Sequence, residues 1–248
     1  MADTWFSTRL DIIGDVHGCV FELETLIRKL AKRAEADAAK CLERGEPPSP
    51  ERRFVFLGDY VDRGPSSAAV LEIVMNLVEY NGAIAVLGNH DFKLLRHLNG
   101  ETVRMTPQLD QTLTEIFQRP SEFSSKVKRF LSSLPYCIDF VGGELVVAHA
   151  GLPEHLQNLD TPAAKRFALY GDVQTSGGDG PPIRRDWAAD YKGKASVVYG
   201  HTPTNKLEWR NKTICIDTGC AFGGKLTALR WPEKDLVQVE AVRQYYSH

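Results

Sequence analysis

The chain lacks several patterns that would assign it to a large class of protein. No apolar stretch approaches the roughly 20 residues that span a bilayer, and no charged-then-apolar signal segment precedes the first strand-like run. The five cysteines are odd in number and have no paired spacing, which argues against a disulfide framework, and no CxxC pair indicates a structural zinc. There is no Gly-x-x-x-x-Gly-Lys loop, so the sequence does not predict a nucleoside triphosphate kinase. We therefore expect a cytoplasmic protein with free thiols and no membrane partner.

Excess charge of either sign is also missing. The chain has 30 basic and 32 acidic residues, for a formal net charge of −2. Such a balance gives no overall attraction to nucleic acid, so a nucleotide substrate must be held by local positive charge and by metal ions. With 248 residues, of which 43% are hydrophobic, the chain is long enough for one large core. We predict a single domain over residues 1–248.

Apolar runs and helical periodicity alternate in the first half of the chain. Each of three short apolar runs ends at a glycine-containing loop and is followed by a helical pattern. The runs cover residues 10–13, 54–57 and 83–87, and the predicted helices cover residues 21–30, 68–80 and 92–98. Each loop motif thus lies where a buried strand ends, which is the usual place for ligands in α/β sheets.

The second half of the chain is mostly strand-like, so the fold class is α/β. The predicted strands cover residues 136–140, 144–148, 196–199, 213–216, 226–230 and 236–240. Three other segments have different patterns. Residues 31–53 indicate an extension of the first helix and an exposed loop, and residues 100–135 predict a helical cap beside the site. Residues 171–185 form a long glycine-rich loop, which is typical of functional or disordered segments.

The first motif, Gly-Asp-Val-His-Gly at residues 14–18, places Asp15 and His17 two positions apart. Since alternate residues of an extended segment point to the same side, both side chains can bind one metal ion. An Asp-x-His triplet is also common at surface turns. The flanking glycines favour a site, because they permit a tight turn that a phosphate can approach closely.

The second motif, Gly-Asp-Tyr-Val-Asp-Arg-Gly at residues 58–64, follows a predicted strand. Asp59 carries two carboxylate oxygens and can bridge two cations, which holds them close enough to act on one phosphate. Arg63 offers a planar guanidinium group for phosphate oxygens. Taken alone, Asp62-Arg63 is an ordinary surface ion pair, so this interpretation depends on the other motifs.

The third motif, Gly-Asn-His-Asp, begins at residue 88. Asn89 is a neutral oxygen ligand that suits a second metal. His90 can protonate a leaving-group oxygen if a carboxylate fixes its tautomer. Asp62 is the preferred candidate for that carboxylate. Asp91 is the alternative, although an aspartate at a helix start more often caps the helix.

His149 and His201 each follow a predicted buried strand and precede turn residues. A histidine at a strand end is often only a satisfied polar group, but these two complete the nitrogen ligands that a dinuclear site needs. No chemistry is assigned to His97, His155 and His248, and the tryptophans predicted to pack in the core are Trp187, Trp209 and Trp231.

In this order the motifs resemble those of the calcineurin-like metallophosphoesterase superfamily, and specifically its phosphoprotein-phosphatase-like branch. Gly-Asp-Val-His-Gly, Gly-Asp-Tyr-Val-Asp-Arg-Gly and Gly-Asn-His carry the resemblance, which runs over nearly the whole chain. It implies two facing mixed β-sheets flanked by helices, a four-layer sandwich with metals at the strand ends.

The resemblance also implies the roles of the site residues. The family binds two divalent ions, commonly Mn²⁺ and sometimes Fe or Zn. The resemblance implies that Asp15 and His17 bind the first metal and that Asp59 bridges the two. The ligands of the second metal are then Asn89, His149 and His201. His90 is the proton donor, oriented by Asp62, and the groups that bind the substrate phosphate are Arg63, Asn89 and Arg184. Because Arg185 is adjacent, it stays open which of the two arginines matches the phosphate-binding position of the family. A metal-bound hydroxide then attacks phosphorus in line, without a covalent intermediate.

The substrate class follows from departures within that branch. Asp91 stands where eukaryotic Ser/Thr phosphatases have Glu, and His149-Ala-Gly replaces their His-Gly-Gly. The C-terminal run that begins Ile214-Cys-Ile-Asp-Thr-Gly-Cys is instead similar to the phosphatase module of bacterial polynucleotide kinase-phosphatase and to bacterial diadenosine tetraphosphatases. We therefore expect a nucleotide or nucleic-acid end as substrate: a phosphomonoester, a 2′,3′-cyclic phosphate or a dinucleoside polyphosphate.

Two alternatives belong to other functional classes. A phosphoprotein phosphatase is supported by the Val-Asp-Arg-Gly motif at residues 61–64 and weakened by the departures above. A catalytically inactive binding scaffold has the same fold, since fold does not fix function. The scaffold hypothesis is disfavoured because every expected metal ligand and the candidate acid are present.

Overall fold

The computed structural model describes residues 9–47, 51–174 and 183–247. In these ranges no helix has the length and apolar character needed to cross a membrane. None of the five cysteines, all of which lie in these ranges, forms a disulfide, as predicted. In chain order the elements are β1 (Arg9–Ile13), α1 (Val20–Glu43), β2 (Arg52–Phe56), α2 (Ser67–Asn81), β3 (Ile84–Ala85), α3 (Asn89–Leu98), α4 (Pro107–Phe117), α5 (Ser121–Ser133), β4 (Cys137–Phe140), β5 (Leu145–Ala148), α6 (Pro162–Tyr170), β6 (Val173–Gln174), β7 (Ile183–Arg184), β8 (Ser196–Tyr199), β9 (Thr213–Cys215), β10 (Lys225–Trp231) and β11 (Asp235–Glu240).

Two mixed sheets form the centre of the fold. The first has five strands in the order β11-β10-β1-β2-β3 and the second has four in the order β4-β5-β8-β9. β1, β2 and β3 run parallel, while β10 is antiparallel to both of its neighbours. In the second sheet β5, β8 and β9 run parallel, and β4 is antiparallel to β5. The carboxyl ends of the parallel strands in each sheet therefore lie at one edge, as ligand sites in α/β proteins require.

The two sheets face each other across an apolar layer. Ile12 and Val55 from the first sheet are fully buried in one cluster with Val147 and Val198 from the second. Burial is the main force that holds such layers, at about 25 cal/mol per Å² of apolar surface. The outer face of the first sheet packs against α1 to α5, and that of the second packs against α6. This arrangement confirms the predicted α/β fold of two facing mixed sheets flanked by helices.

The predicted helices occur in the structure with somewhat different ends. The first continues to Glu43, because its exposed second half follows the same helical pattern. The third begins at Asn89 rather than residue 92, because Asp91 caps it by accepting a hydrogen bond from Gly88 N at 3.0 Å. The segment 100–135 contains α4 and α5, which pack on α2 and α3. Its action as a cap over substrate stays a prediction.

The segment 171–185 contains the short antiparallel pair β6 and β7, while residues 175–182 lie outside the described ranges. The three tryptophans predicted to pack in the core all contact the apolar clusters. Trp231 is buried between the sheets with Trp209 at its edge, and Trp187 packs outside the second sheet.

A group of paired charges is buried within the first sheet, beneath α1. Asp11 Oδ1 accepts hydrogen bonds from Arg52 Nε at 2.8 Å and from Arg230 Nε at 3.3 Å. Arg230 also donates to Asp37 on α1, and Arg52 donates to Glu233. Each buried guanidinium group therefore meets two carboxylates within the protein.

Candidate metal centre

The motif residues converge beyond the carboxyl ends of the strands. Asp15 and His17 follow β1, Asp59 follows β2, and Asn89 follows β3. In the second sheet His149 follows β5 and His201 follows β8. Because the sheets face each other, loops from both meet at this edge. Two glycines make the close approach possible: a Cβ at Gly88 would clash with the backbone of Asp59, and one at Gly200 would clash with the Asp15 carboxylate.

Asp59 lies between two groups of histidines. Its Oδ2 is 3.4 Å from His17 Nε2 on one side and 3.4 Å from His149 Nε2 on the other. Its Oδ1 accepts a hydrogen bond from His90 N at 2.9 Å. Although burial opposes ionisation, the surrounding histidines, with His149 foremost, lower the pKa of Asp59. An ionised carboxylate equidistant from two nitrogen donors is the arrangement that a bridging ligand requires.

One group of acceptors consists of Asn89, His149 and His201. Asn89 Oδ1 is 2.9 Å from His149 Nε2 and 2.8 Å from His201 Nδ1, and the two nitrogens are 3.0 Å apart. His149 Nδ1 donates to Leu57 O at 3.0 Å, so Nε2 of the neutral ring carries a lone pair. Burial lowers the pKa of His149, and burial with the proximity of His149 lowers that of His201 to about 3. Neutral imidazoles meeting at one point suit a shared cation.

The other group contains Asp15 and His17. His17 Nδ1 donates to Val61 O at 2.9 Å, which leaves Nε2 facing Asp59. Asp15 Oδ2 accepts from His201 N at 3.0 Å, but Asp15 Oδ1 is buried with no hydrogen-bond partner in the described structure. Burial, together with the charges of Asp217 and Asp59, raises the pKa of Asp15 well above its usual range. A cation beside these carboxylates would remove that penalty.

The donor atoms fit divalent metal ions. Ligand atoms of His17, Asp59 and His90 lie within 4.8 Å of one another, as do those of Asp59, His149 and His201. Carboxylate and amide oxygens combined with imidazole nitrogens suit Mn²⁺, Fe²⁺ and Zn²⁺. The orphaned Asp15 oxygen supports the same conclusion, because buried polar atoms in proteins nearly always have a partner.

His90 has a carboxylate partner of the kind that orients a proton donor. Its Nδ1 lies 2.6 Å from Asp62 Oδ2, and Asp62 is buried. Asp62 Oδ1 accepts a hydrogen bond from Thr112 of α4 at 2.8 Å. The carboxylate is thereby fixed from both sides, and the ring of His90 is held with Nε2 pointing away from Asp62. Of the two open candidates, the structure places Asp62 rather than Asp91 beside His90.

Asp91 does more than cap α3. Its side chain is fully buried and accepts hydrogen bonds from Asp59 N at 2.7 Å and Tyr60 N at 2.9 Å, besides the bond from Gly88. It therefore connects the loop after β2 to the start of α3. This connection fixes Asp59 relative to Asn89, so Asp91 positions both candidate ligands.

Two arginines flank the centre on opposite sides. Arg63 Nη1 lies 2.5 Å from His17 Nε2, and its Nη2 lies 3.0 Å from His90 Nε2. Its guanidinium also lies 5.1 Å from the Phe222 ring centroid, a cation–π contact. Arg184 Nη1 lies 2.6 Å from His201 Nε2. Both arginines therefore face the position where a phosphate bound to the centre would lie.

Several site residues have a left-handed backbone conformation that residues other than glycine rarely adopt. The φ angles are 45° at His17, 51° at Asp59, 70° at Asp62, 70° at Arg63 and 73° at His201. Left-handed backbone costs non-glycine residues about 1–2 kcal/mol each. Such conformations persist only where surrounding contacts fix them, and they concentrate at functional sites.

Sequence reasoning gave no role to two residues that belong to the site. Asp217 is buried after β9, with Oδ1 accepting from Gly219 N at 2.9 Å and Oδ2 lacking a partner in the described structure. Thr112 lies on α4 and is distant in sequence from every motif, although it contacts Asp62 in space. The Asp-Thr-Gly triplet after a strand was a usable signal for Asp217, whereas nothing local distinguishes Thr112. Of the histidines assigned no chemistry, His97 lines a surface cavity with Met105, His155 lies in a short 3₁₀ helix, and His248 lies outside the described residues.

Known proteins are similar to this chain in both sequence and fold. The model of the family described as calcineurin-like phosphoesterase matches residues 8–237. Bis(5′-nucleosyl)-tetraphosphatase PrpE (asymmetrical) of Anoxybacillus flavithermus is 40% identical over 241 residues, covering 95% of each chain. The protein of the same name from Bacillus subtilis strain 168 is 41% identical over 241 residues, covering 95% of this chain and 96% of the relative.

Two solved structures extend the comparison. A crystal structure of a protein inferred to be a diadenosine tetraphosphatase is 26% identical, with a TM-score of 0.67 over 95% of this chain and 94% of the other. A protein serine/threonine phosphatase from Saccharomyces cerevisiae is 17% identical, with a TM-score of 0.59 over 99% of this chain and 82% of the other, which shows a shared fold alone. With this fold, these motifs and these relatives, the chain belongs to the calcineurin-like phosphoesterase family.

Proposed function

We propose that this phosphoesterase hydrolyses dinucleoside polyphosphates with two divalent metal ions, and that Mn²⁺ is the ion it uses best. The observation that carries the proposal is Asp59 Oδ2, which lies 3.4 Å from a histidine nitrogen on each side. The relatives that match nearly the whole chain are named as tetraphosphatases, which supports the choice among nucleotide substrates.

The metal ligands in this proposal come from both sheets. Asp15 and His17 would hold one ion, Asp59 would be shared by both, and Asn89, His149 and His201 would hold the other. When bound, two such ions lower the pKa of a coordinated water and neutralise charge on the phosphate. The protein supplies the fixed donor geometry: Val61 O and Leu57 O hold the tautomers of the two strand-end histidines.

The protein's own cations bind and orient the substrate. Arg63 and Arg184 approach the centre from opposite sides, and the Asn89 amide lies between them beside the histidines. Guanidinium groups form paired hydrogen bonds to phosphate oxygens, so the two arginines would fix the cleaved phosphate in one orientation. Fixing a reacting group in this way removes much of the entropic part of the barrier.

His90 moves the proton in this proposal. Its Nδ1 is hydrogen-bonded to Asp62, which orients the ring and keeps Nε2 directed toward the substrate side. The Nε2 proton then passes to the leaving oxygen as the P–O bond breaks. Such general acid catalysis typically contributes about 10²–10⁴-fold. Thr112 and Asp62 act as a support that prevents the ring from rotating.

The test is turnover by the metal-stripped protein reconstituted with Mn²⁺, Fe²⁺ or Zn²⁺. The substrates are diadenosine tetraphosphate, a 2′,3′-cyclic nucleotide, a nucleoside monophosphate and a phosphopeptide at equal concentration. We expect Mn²⁺-dependent cleavage of diadenosine tetraphosphate to exceed that of the others, with ATP and AMP as products. Higher kcat/KM for the phosphopeptide would replace the proposal with a protein phosphatase, and no metal binding would indicate a scaffold.

A further inference from the structure

A cavity of about 470 Å³ opens beside the metal centre, on the side of the second sheet. Arg184 and Thr202 line it where it meets the centre, and Arg184 Nη1 is the group that contacts His201. The lining also includes Arg185 and Lys206. Its volume falls within the range of about 300–1,000 Å³ that small-molecule sites occupy.

The charges in this cavity are unevenly paired. Arg210 forms an ion pair with Asp186, so these two lining residues cancel each other. The basic groups that remain are Arg184, Arg185 and Lys206, against the single carboxylate of Glu208 in the described lining. Both Arg185 and Lys206 are exposed. These three basic residues give the cavity an excess of positive charge, in a protein whose total charge is slightly negative.

The same cavity also has an apolar and aromatic part. It includes Tyr199 and Trp187, whose ring centroids are 5.0 Å apart, together with Ala188 and Pro203. Trp187 also packs on Phe167, which fixes the indole. Aromatic rings bind nucleobases by stacking. Basic and aromatic groups in one cavity match a nucleoside joined to several phosphates.

Another cavity lies beside the buried charges of the first sheet, and its charged groups are paired differently. It has a volume of about 250 Å³ and is lined by Arg52, Arg230, Asp11 and Asp37. Its arginines Arg9, Arg52 and Arg230 each form an ion pair with a carboxylate, so their charges are compensated within the protein.

We propose that the 470 Å³ cavity is the subsite for the part of the substrate beyond the cleaved bond, a nucleoside carrying a chain of phosphates. Arg185 and Lys206 contact the phosphates that follow the one on the metals, and the rings of Tyr199 and Trp187 receive the base. This inference rests on the proposed function and names which part of the chain distinguishes a dinucleoside polyphosphate from a simple ester. Lys206 determines substrate preference and takes no part in bond cleavage.

The test uses Lys206→Glu with Lys32→Glu as its matched control. Lys32 is an exposed lysine on α1 outside the cavity. Because both variants replace lysine with glutamate, they change the net charge equally. For each protein, KM and kcat are measured with Mn²⁺ on diadenosine tetraphosphate and on p-nitrophenyl phosphate, which is too short to reach Lys206. We expect Lys206→Glu to raise KM for diadenosine tetraphosphate about tenfold, since a charge-assisted contact is worth about that factor. KM for p-nitrophenyl phosphate should stay at the Lys32→Glu value.

Competitive inhibition gives a second readout on the same proteins. The inhibition constant of ATP, measured against p-nitrophenyl phosphate, should rise in Lys206→Glu, while that of inorganic phosphate should not. Equal effects of the two variants on diadenosine tetraphosphate, or equal KM changes for both substrates, would overturn the subsite. If the wild-type protein does not cleave diadenosine tetraphosphate, the proposed function fails first and this inference with it.

Discussion

Two groups of charged side chains are buried beside β1, one within the sheet and one beyond its carboxyl end. Within the sheet, Asp11 contacts Arg52 and Arg230, and the buried atom that lacks a partner is a donor, Arg230 Nη2. Beyond the end, the unpartnered atoms are the carboxylate oxygens Asp15 Oδ1 and Asp217 Oδ2. The first group has its countercharges in the chain, and the second does not.

The pKa values show the same contrast. Burial raises the pKa of Asp11, but Arg52 and Arg230 oppose the shift. Burial also raises the pKa of Asp15, where the charges of Asp217 and Asp59 add to the shift. A buried charge group that is complete in itself needs no added ion, and removal of one partner leaves the other uncompensated. One with surplus carboxylates is stable as ions only beside added cations, so it identifies a metal site.

The largest expected effect comes from Asp59→Asn, which removes the charge shared by both ligand groups. Turnover of every substrate should fall at least about 10³-fold, because metal ions supply several kcal/mol of charge stabilisation. Bound Mn²⁺, measured by mass spectrometry after dialysis, should fall with it. Asp11→Asn is the control for loss of one buried carboxylate. Retention of two ions by Asp59→Asn would refute the role of Asp59 as a bridging ligand.

His90→Ala tests whether the group beyond β1 also provides a proton donor. Hydrolysis of a nucleoside monophosphate should slow by about 10²–10⁴-fold, because its alkoxide leaving group needs a proton. Hydrolysis of p-nitrophenyl phosphate should slow much less, since its leaving group is a weak base. The ratio of the two kcat values is the measurement, and equal losses would remove His90 from this role.

Asp11→Asn should affect stability instead of chemistry. Two buried guanidinium groups would lose their shared carboxylate, at a cost of about 3–5 kcal/mol in the free energy of unfolding. The kcat per folded molecule should stay unchanged, as measured below the melting temperature. Urea unfolding gives the stability, and a loss of kcat without a loss of stability would erase the contrast between the two groups.

Asp217 gives the metal-free protein a pH dependence. Burial raises its pKa to about 6, from 3.8 in the unfolded chain. The folded form therefore holds this proton more tightly, so the contribution of Asp217 to stability is greatest below pH 4 and declines by up to about 3 kcal/mol as the pH rises to 6. The difference in unfolding free energy between the wild type and Asp217→Asn, from urea unfolding with EDTA at pH 4.5, 5.5 and 6.5, isolates this contribution from that of the neighbouring histidines. We expect the difference to shrink as the pH rises, and a difference independent of pH would exclude Asp217 as its source.

The sequence predicted the strands that carry the site better than the contacts that orient it. Asp15, Asp59 and His149 follow apolar runs, so local periodicity located them at strand ends. The support of Asp62 by Thr112 joins residues 50 positions apart, and only the packing of α4 on α2 creates it. Asp91 was predicted as a helix cap, and its bonds to the loop after β2 depend on strand pairing that local pattern cannot specify.

The left-handed backbone at the site has a consequence for how such proteins change over evolutionary time. Aspartate and histidine tolerate this conformation better than arginine, so Arg63 at φ 70° is the most unfavourable of the five. Glycine at that position would relieve the conformation and delete the guanidinium in one step. Under the proposed role of Arg63 in binding phosphate, selection for hydrolysis would retain arginine there. A descendant freed from that selection should acquire glycine at position 63 early and become more stable as its activity declines.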